Sequence, residues 1–114
     1  MISSLEKLND FFETAEKPVV VQMASKKCER CPSFTEEVKK LKLEYDFEWV
    51  YVDVFESTDI VDEFGIAKLP AFIYHVHKNE AHNVTCQNAS PSELRNVLQR
   101  NCRLNQAFCL DADF

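Results

Sequence analysis

Two cysteines, Cys28 and Cys31, follow directly on the apolar run Pro18–Ala24 and precede a helical pattern. No other feature constrains this chain as tightly. The run VVVQMA reads as a buried strand over Val19–Ala24, so the C-x-x-C pair falls at a strand-to-helix turn. Two thiols at this spacing close a small disulfide and reopen it. Backbone N–H groups at a helix start favour negative charge, which promotes a thiolate at Cys28. A zinc site would need two further ligands at comparable spacing, and the chain has no second C-x-x-C and no H-x3-H. The pair is therefore read as redox-active, with no metal.

At 114 residues the chain is expected to form one domain around one core. Hydrophobic residues make up 46% of it and nine are phenylalanine, enough to fill that core. A formal net charge of −6 argues against a general binder of nucleic acid or of anionic membranes. No segment approaches the ~20 apolar residues of a membrane span. The start, MISSLEKLNDFFET, carries acids in its first turns and no signal-peptide core, so a reducing, cytoplasmic setting is expected. In that setting the Asn83-Val84-Thr85 sequon carries no meaning.

The rest of the pattern supplies the elements. Ser3 and Glu6 suggest a capping box before Leu5, Leu8, Phe11 and Phe12 at helical spacing. Phe34, Val38 and Leu41 form one face of a second helix, and Pro32 sits in its first turn, where a missing N–H costs little. Glu48–Val54 alternates as a strand. Ser57 is placed to cap a short helix with Ile60, Val61 and Phe64, and Gly65, the only glycine, stands where that helix needs a left-handed residue. Ala71–His77 is a strand, with a turn near Asn79-Glu80 and a weaker strand at 83–87. Ser90-Pro91-Ser92-Glu93 opens a last helix with Leu94, Val97 and Leu98 on its apolar face. The order is α-β-α-β-α-β-β-α. A domain over residues 1–103 and a tail over 104–114 follow.

This order, with C-x-x-C after the first strand and Lys68-Leu69-Pro70-Ala71 before the third, resembles the thioredoxin family over about residues 3–101. The stretch VDVFESTDIVDEFGIAKLPAFIYHVHKNE is especially similar. The resemblance implies an α/β thioredoxin fold, a mixed sheet of about four strands flanked by helices. It implies a cis peptide at Pro70, facing the cysteines and leaving the adjacent backbone open to an extended substrate segment. The implied activity is thiol-disulfide exchange with disulfide-containing protein substrates, by a monomer without a bound cofactor. The electron donor would be a reductase or glutathione. Cys28 is the implied nucleophile and Cys31 the resolving thiol. Lys27, Glu29, Arg30, Leu69, Pro70 and Ala71 are the implied substrate-binding residues. A glutathione-linked enzyme resembling glutaredoxin, and a thioredoxin-fold interaction module, are the alternatives.

The departures from the family pattern are specific. Lys27 stands where the family usually has Trp, and Glu29-Arg30 where it has Gly-Pro. Gln22 takes the position of a buried acid that assists proton transfer, and Tyr51 that of its basic partner. Neither shuttles a proton at neutral pH. The glycine lining the family's docking surface aligns near Gln87, and the hairpin glycine with Glu80. These changes are expected to weaken recognition by the usual reductase. Lys26, Lys27 and Arg30 surround Cys28 with positive charge, opposed by Glu29, and tilt the pair towards oxidant or isomerase.

Other residues read more plainly. Cys86, beside Gln87, is a second redox thiol or, more simply, a small core residue. Cys102 and Cys109 flank the end of the last helix; they could bond and pin the tail, but in a reducing setting two thiols are expected. His75 and His77, with His82 or Cys86, are read as a polar sheet face rather than a metal site. Lys68 selects an acidic partner or is simply exposed.

Overall fold

A computed structural model describes residues 2, 4–76, 83–102 and 104. Its elements are α1 (Leu5–Thr14), β1 (Val19–Ala24), α2 (Cys31–Glu44), β2 (Glu48–Asp53), α3 (Thr58–Phe64), β3 (Ala71–His75), β4 (Val84–Cys86) and α4 (Pro91–Asn101). The strands form one mixed sheet in the order β2-β1-β3-β4. β1 runs parallel to β2 and antiparallel to β3, and β4 pairs antiparallel with β3. Gln22 lies opposite Tyr51 on one side and Phe72 on the other.

The central position of β1 explains its unbroken burial. Its side chains alternate between two cores, as a strand requires. Val19, Val21 and Met23 pack with Leu8 and Phe12 of α1 and Ile60 of α3. Val20 joins Phe34, Val38 and Leu41 of α2, and Leu94 and Leu98 of α4. Each such side chain contributes about 1.5–3 kcal/mol by leaving water. This architecture delivers the carboxyl end of β1, and with it Cys28, to one end of the sheet.

Local chemistry sets the element ends, sometimes differently from the sequence reading. The cap of α1 is Ser4, whose hydroxyl accepts from the Lys7 amide at 3.3 Å; Ser3 lies outside the described residues. The Leu5 amide instead donates to Asp59 Oδ2 at 2.8 Å, so α3 helps to satisfy the start of α1. α3 ends at Gly65, whose φ of 64° is the expected left-handed cap. A Cβ there would meet nothing within 4 Å, so the backbone angle and not space selects glycine. Ser57 and Ser90 precede α3 and α4 without a side-chain cap bond. The expected capping box at Ser90 does not form: the Ser90 hydroxyl donates to Glu93 Oε1 at 3.5 Å, and the other Glu93 oxygen accepts from the Cys86 thiol. The expected turn at Asn79-Glu80, and His77 at the end of its strand, lie outside the described residues. Leu104, read as the first tail residue, is tied to the domain by an antiparallel bridge to Tyr45.

Candidate functional site: a disulfide at the end of the central strand

Where β1 ends, the chain turns through Ser25. The Ser25 carbonyl accepts from the Cys28 amide at 3.2 Å, and its hydroxyl accepts from the Lys27 amide at 3.2 Å. Cys28 and Cys31 are joined by a disulfide, with their Cα atoms 5.4 Å apart. The two sulfurs differ in access: Cys28 is half-buried, whereas Cys31 is 3% exposed. Cys28 borders two hollows. One, of about 330 Å³, also touches Cys31, Pro32, Thr35 and Tyr51. The other, of about 510 Å³, runs between Lys27, Arg30, Ala67 and Leu69.

The helix start differs from the expectation. Arg30 is the N-cap and Cys31 the first residue of α2, so Cys28 stands one turn ahead of the helix. The Cys31 amide donates to the Cys28 carbonyl at 3.4 Å, and Pro32 has no N–H. The helix end therefore offers Cys28 fewer donors than a cysteine placed within its first turn would have.

The rim is polar. Lys26, Lys27, Glu29, Arg30 and Lys68 are exposed. Lys27 lies over the Phe55 ring, 5.7 Å from its centre, and Phe55 itself is 67% exposed. No sequence signal singled out Phe55. Arg30 spans the site: its guanidinium donates to the Leu69 carbonyl at 3.4 Å and to Asn88 Oδ1. Next to Asn88, Gln87 grips the same loop. Its Oε1 accepts from the Ala67 and Lys68 amides at 2.7 and 3.1 Å, and its Nε2 donates to the Gly65 carbonyl at 3.1 Å. The left-handed residue before α4 is Asn88, φ 50°, one place beyond the Gln87 alignment. Asparagine is among the few non-glycine residues that tolerate this region.

The Leu69–Pro70 peptide is cis. Pro70 is buried, and its carbonyl accepts from the Ala89 amide at 2.8 Å. Leu69 lines the larger hollow. Ala71 does not: it is fully buried and belongs to the α1–α3 core, so its side chain is unavailable to a ligand.

Beneath the site, Gln22 is fully buried and bonded at both ends of its amide. Its Nε2 donates to Thr35 Oγ1 at 2.7 Å, and its Oε1 accepts from Trp49 Nε1 at 3.1 Å. A neutral amide thus links β1, β2 and α2 behind Cys31. Tyr51 borders the smaller hollow, and burial, aided by the charge of Asp53, raises its pKa above the usual phenol value.

The remaining candidates lie apart. Cys86 borders neither hollow that opens on the disulfide. Its thiol donates to Glu93, and burial, with that carboxylate, pushes it up to about 11. Such a thiol is a poor nucleophile. The Cys102 thiol donates to the Asp46 carbonyl at 3.3 Å. His75 stacks on Phe12 with ring centres 4.0 Å apart. The Asn83 side chain is held in the β3–β4 pairing, accepting from the Val76 amide at 2.7 Å. His77, His82 and Cys109 lie outside the described residues. Among the described residues no group of three or more His, Cys, Asp or Glu could hold a metal ion. No described helix is long and apolar enough to cross a membrane.

The thioredoxin family model matches residues 2–100. Among solved structures, Schistosoma mansoni thioredoxin superimposes with a TM-score of 0.76 at 23% identity, covering 87% of this chain and 91% of that one. Mitochondrial thioredoxin 3 from Saccharomyces cerevisiae, in its oxidised form, gives 0.74 at 19%, covering 88% and 92%. Plasmodium falciparum thioredoxin gives 0.73 at 22%, covering 91% and 87%. No curated protein matches the sequence.

Proposed function

Since the chain belongs to the thioredoxin family, we propose that it exchanges a Cys28–Cys31 dithiol and disulfide with protein substrates through a mixed disulfide. The observation that carries this reading is the unequal access of two bonded sulfurs: Cys28 borders both hollows and Cys31 is buried behind it.

In the reduced protein the Cys28 thiolate attacks one sulfur of a substrate disulfide. The substrate S–S bond breaks, a Cys28–substrate disulfide forms, and the released substrate thiolate takes up a proton. Cys31 then loses its proton and attacks the Cys28 sulfur. The mixed disulfide breaks, the second substrate thiolate leaves and is protonated, and the Cys28–Cys31 bond closes. Two electrons and two protons pass from the dithiol to the substrate. A reductase or glutathione returns them, and the protein needs no bound cofactor.

The rim residues Lys27, Glu29, Arg30 and Leu69 contact the substrate, and cis-Pro70 shapes the loop opposite. The proton of Cys31 leaves through the smaller hollow, since Gln22 is no acid. The working unit is a monomer in a reducing, cytoplasmic setting, built from one domain over residues 1–103.

The test is trapping. Cys31→Ser mixed with a disulfide substrate should accumulate a covalent adduct on non-reducing gels that dithiothreitol releases, and Cys28→Ser should form none. Turnover by the intact protein with no adduct from Cys31→Ser would make Cys31 the attacking sulfur or the route a one-thiol one.

A further inference from the structure

Arg30 is held in an unusual way. Its two acceptors, the Leu69 carbonyl and Asn88 Oδ1, are both neutral. Elsewhere Lys27 and Lys42 lie over the rings of Phe55 and Phe47, while Lys17 meets Asp46, Lys39 Glu36, Lys40 Glu37 and Arg95 Glu44. Among the described residues no ion pair involves Arg30, Lys26, Lys27 or Lys68. A guanidinium fixed by neutral acceptors keeps its full charge and retains N–H groups for a further acceptor.

Its location gives that charge a use. The hollow of about 510 Å³ joins Cys28 to Leu69, and its charged lining residues are Lys27, Arg30 and a single acid, Glu29. On the other flanks the charges balance, with Asp53 and Glu56 against Lys26 and Lys27 beside Phe55 and Glu36 against Lys26 near Pro32. A cationic groove on a protein of net charge −6 is a local inversion of sign. Any segment that reaches Cys28 by this route passes the guanidinium.

We propose that Arg30 selects substrate segments bearing a carboxylate beside the target disulfide, with Asn88 as the residue that positions it. This rests on the dithiol-exchange reading above. The partners are then acid-flanked protein disulfides, bound as extended segments along the Leu69 side. Asn88 does two things: it fixes the guanidinium, and by being neutral it leaves the charge uncancelled.

The experiment compares two peptide disulfides that differ only in Asp or Asn within two residues of the cysteine. Rates are taken with the reduced protein. Affinities of the same peptides with Cys replaced by Ser are taken with the oxidised protein by fluorescence anisotropy, so selection is read even without turnover. At low salt the Asp peptide should be favoured about three- to fivefold, the scale of an exposed ion pair, and the preference should shrink with added salt. Arg30→Gln should remove the preference. Lys42→Gln, the same charge change near the far end of α2, should keep it. Asn88→Asp should weaken it more than Asn88→Ala, since a carboxylate there would neutralise Arg30; the reverse order would overturn the role given to Asn88. Equal handling of the two peptides overturns the proposal, as does equal loss in Lys42→Gln, which would make net charge the cause. Reduction of glutathione disulfide that depends on Arg30, with no peptide preference, would likewise overturn it in favour of a small anionic substrate. If neither peptide reacts but the affinities differ as described, the exchange reading fails and the selectivity stands.

Discussion

On the α1 and α3 side of the sheet, Leu8, Phe12, Val19, Val21, Met23, Ile60 and Ile73 meet as a cluster of apolar side chains. On the α2 and α4 side, the same strands carry an amide and a phenol into the packing: Gln22, wholly buried between Thr35 and Trp49, and Tyr74, wholly buried with the Cys102 thiol as its polar neighbour. The first arrangement is non-directional and is stabilised by area removed from water. The second is directional at Gln22, whose amide is bonded at both ends, and leaves the Tyr74 hydroxyl without a hydrogen-bond partner among the described residues. The helix that bears Cys31 rests on the directional side. Stability and the placement of the dithiol are thus separable in this fold, and substitutions on the two sides should separate them.

The largest effect is expected from Leu8→Ala on the apolar side. Leu8 is fully buried, and truncation leaves a cavity that costs about 2–5 kcal/mol. Denaturant unfolding should show that loss. Initial rates of insulin reduction, taken where the variant is still folded, should stay within about twofold, since Leu8 borders neither hollow that opens on the disulfide. A rate loss as large as that of a Gln22 variant would mean that the two sides do not act separately.

A smaller stability effect but a larger functional one should follow from Gln22→Leu. It leaves the Trp49 indole N–H and the Thr35 hydroxyl without their amide, at a cost of about 1–3 kcal/mol. Trp49 is the only tryptophan, so its emission reports the change directly. Gln22→Glu sharpens the comparison. A carboxylate buried here has no cation beside it, so its pKa would rise above the unfolded value. The folded state would then hold the proton more tightly, and stability should fall as pH rises through about 4.3, the unfolded value. A Gln22→Glu protein as stable at pH 7 as at pH 4, relative to the unmodified chain, would show the site to be solvated.

The same division explains what could be read from the sequence. The strand over Val19–Ala24, the helix faces at Phe34, Val38 and Leu41, and the left-handed cap at Gly65 were legible because periodicity and cap chemistry are local. The Cys28–Cys31 pair was legible for the same reason. The directional contacts were not, because they join residues far apart in the chain. Arg30 meets Asn88 across 58 positions, and Trp49 meets Gln22 across 27. Gln22 read as the loss of an acid, whereas the structure makes it a bonded hub. Ser90 and Glu93 had the right spacing for a capping box, yet the glutamate is shared between the Ser90 hydroxyl and the Cys86 thiol, an arrangement that no local pattern displays.

The smallest effect should come from Tyr74→Phe, and it tests whether the phenol is directional in the way the amide is. Tyr74 lies on β3 among Phe34, Phe72 and Leu98. Its hydroxyl is buried with no hydrogen-bond partner among the described residues; burial first, then the neighbouring Cys102, raises its pKa above 10.0. Near neutral pH, removal of the hydroxyl should change stability by no more than about 1 kcal/mol. The alkaline side is more discriminating. In the unfolded chain the phenol ionises near pH 10, while in the folded protein it keeps its proton. Between those values the unfolded state binds fewer protons, so folding stability falls as pH rises past 10. Phenylalanine has no proton to lose. Relative to Tyr74→Phe, the unmodified protein should therefore lose about 0.5–1 kcal/mol of stability between pH 8 and pH 10.5. Cys86 and the other tyrosines are common to both and cancel. Denaturant unfolding of the pair at the two pH values reads the difference. An unchanged gap would mean that the Tyr74 hydroxyl ionises as it does in water, and the directional side would then rest on Gln22 alone.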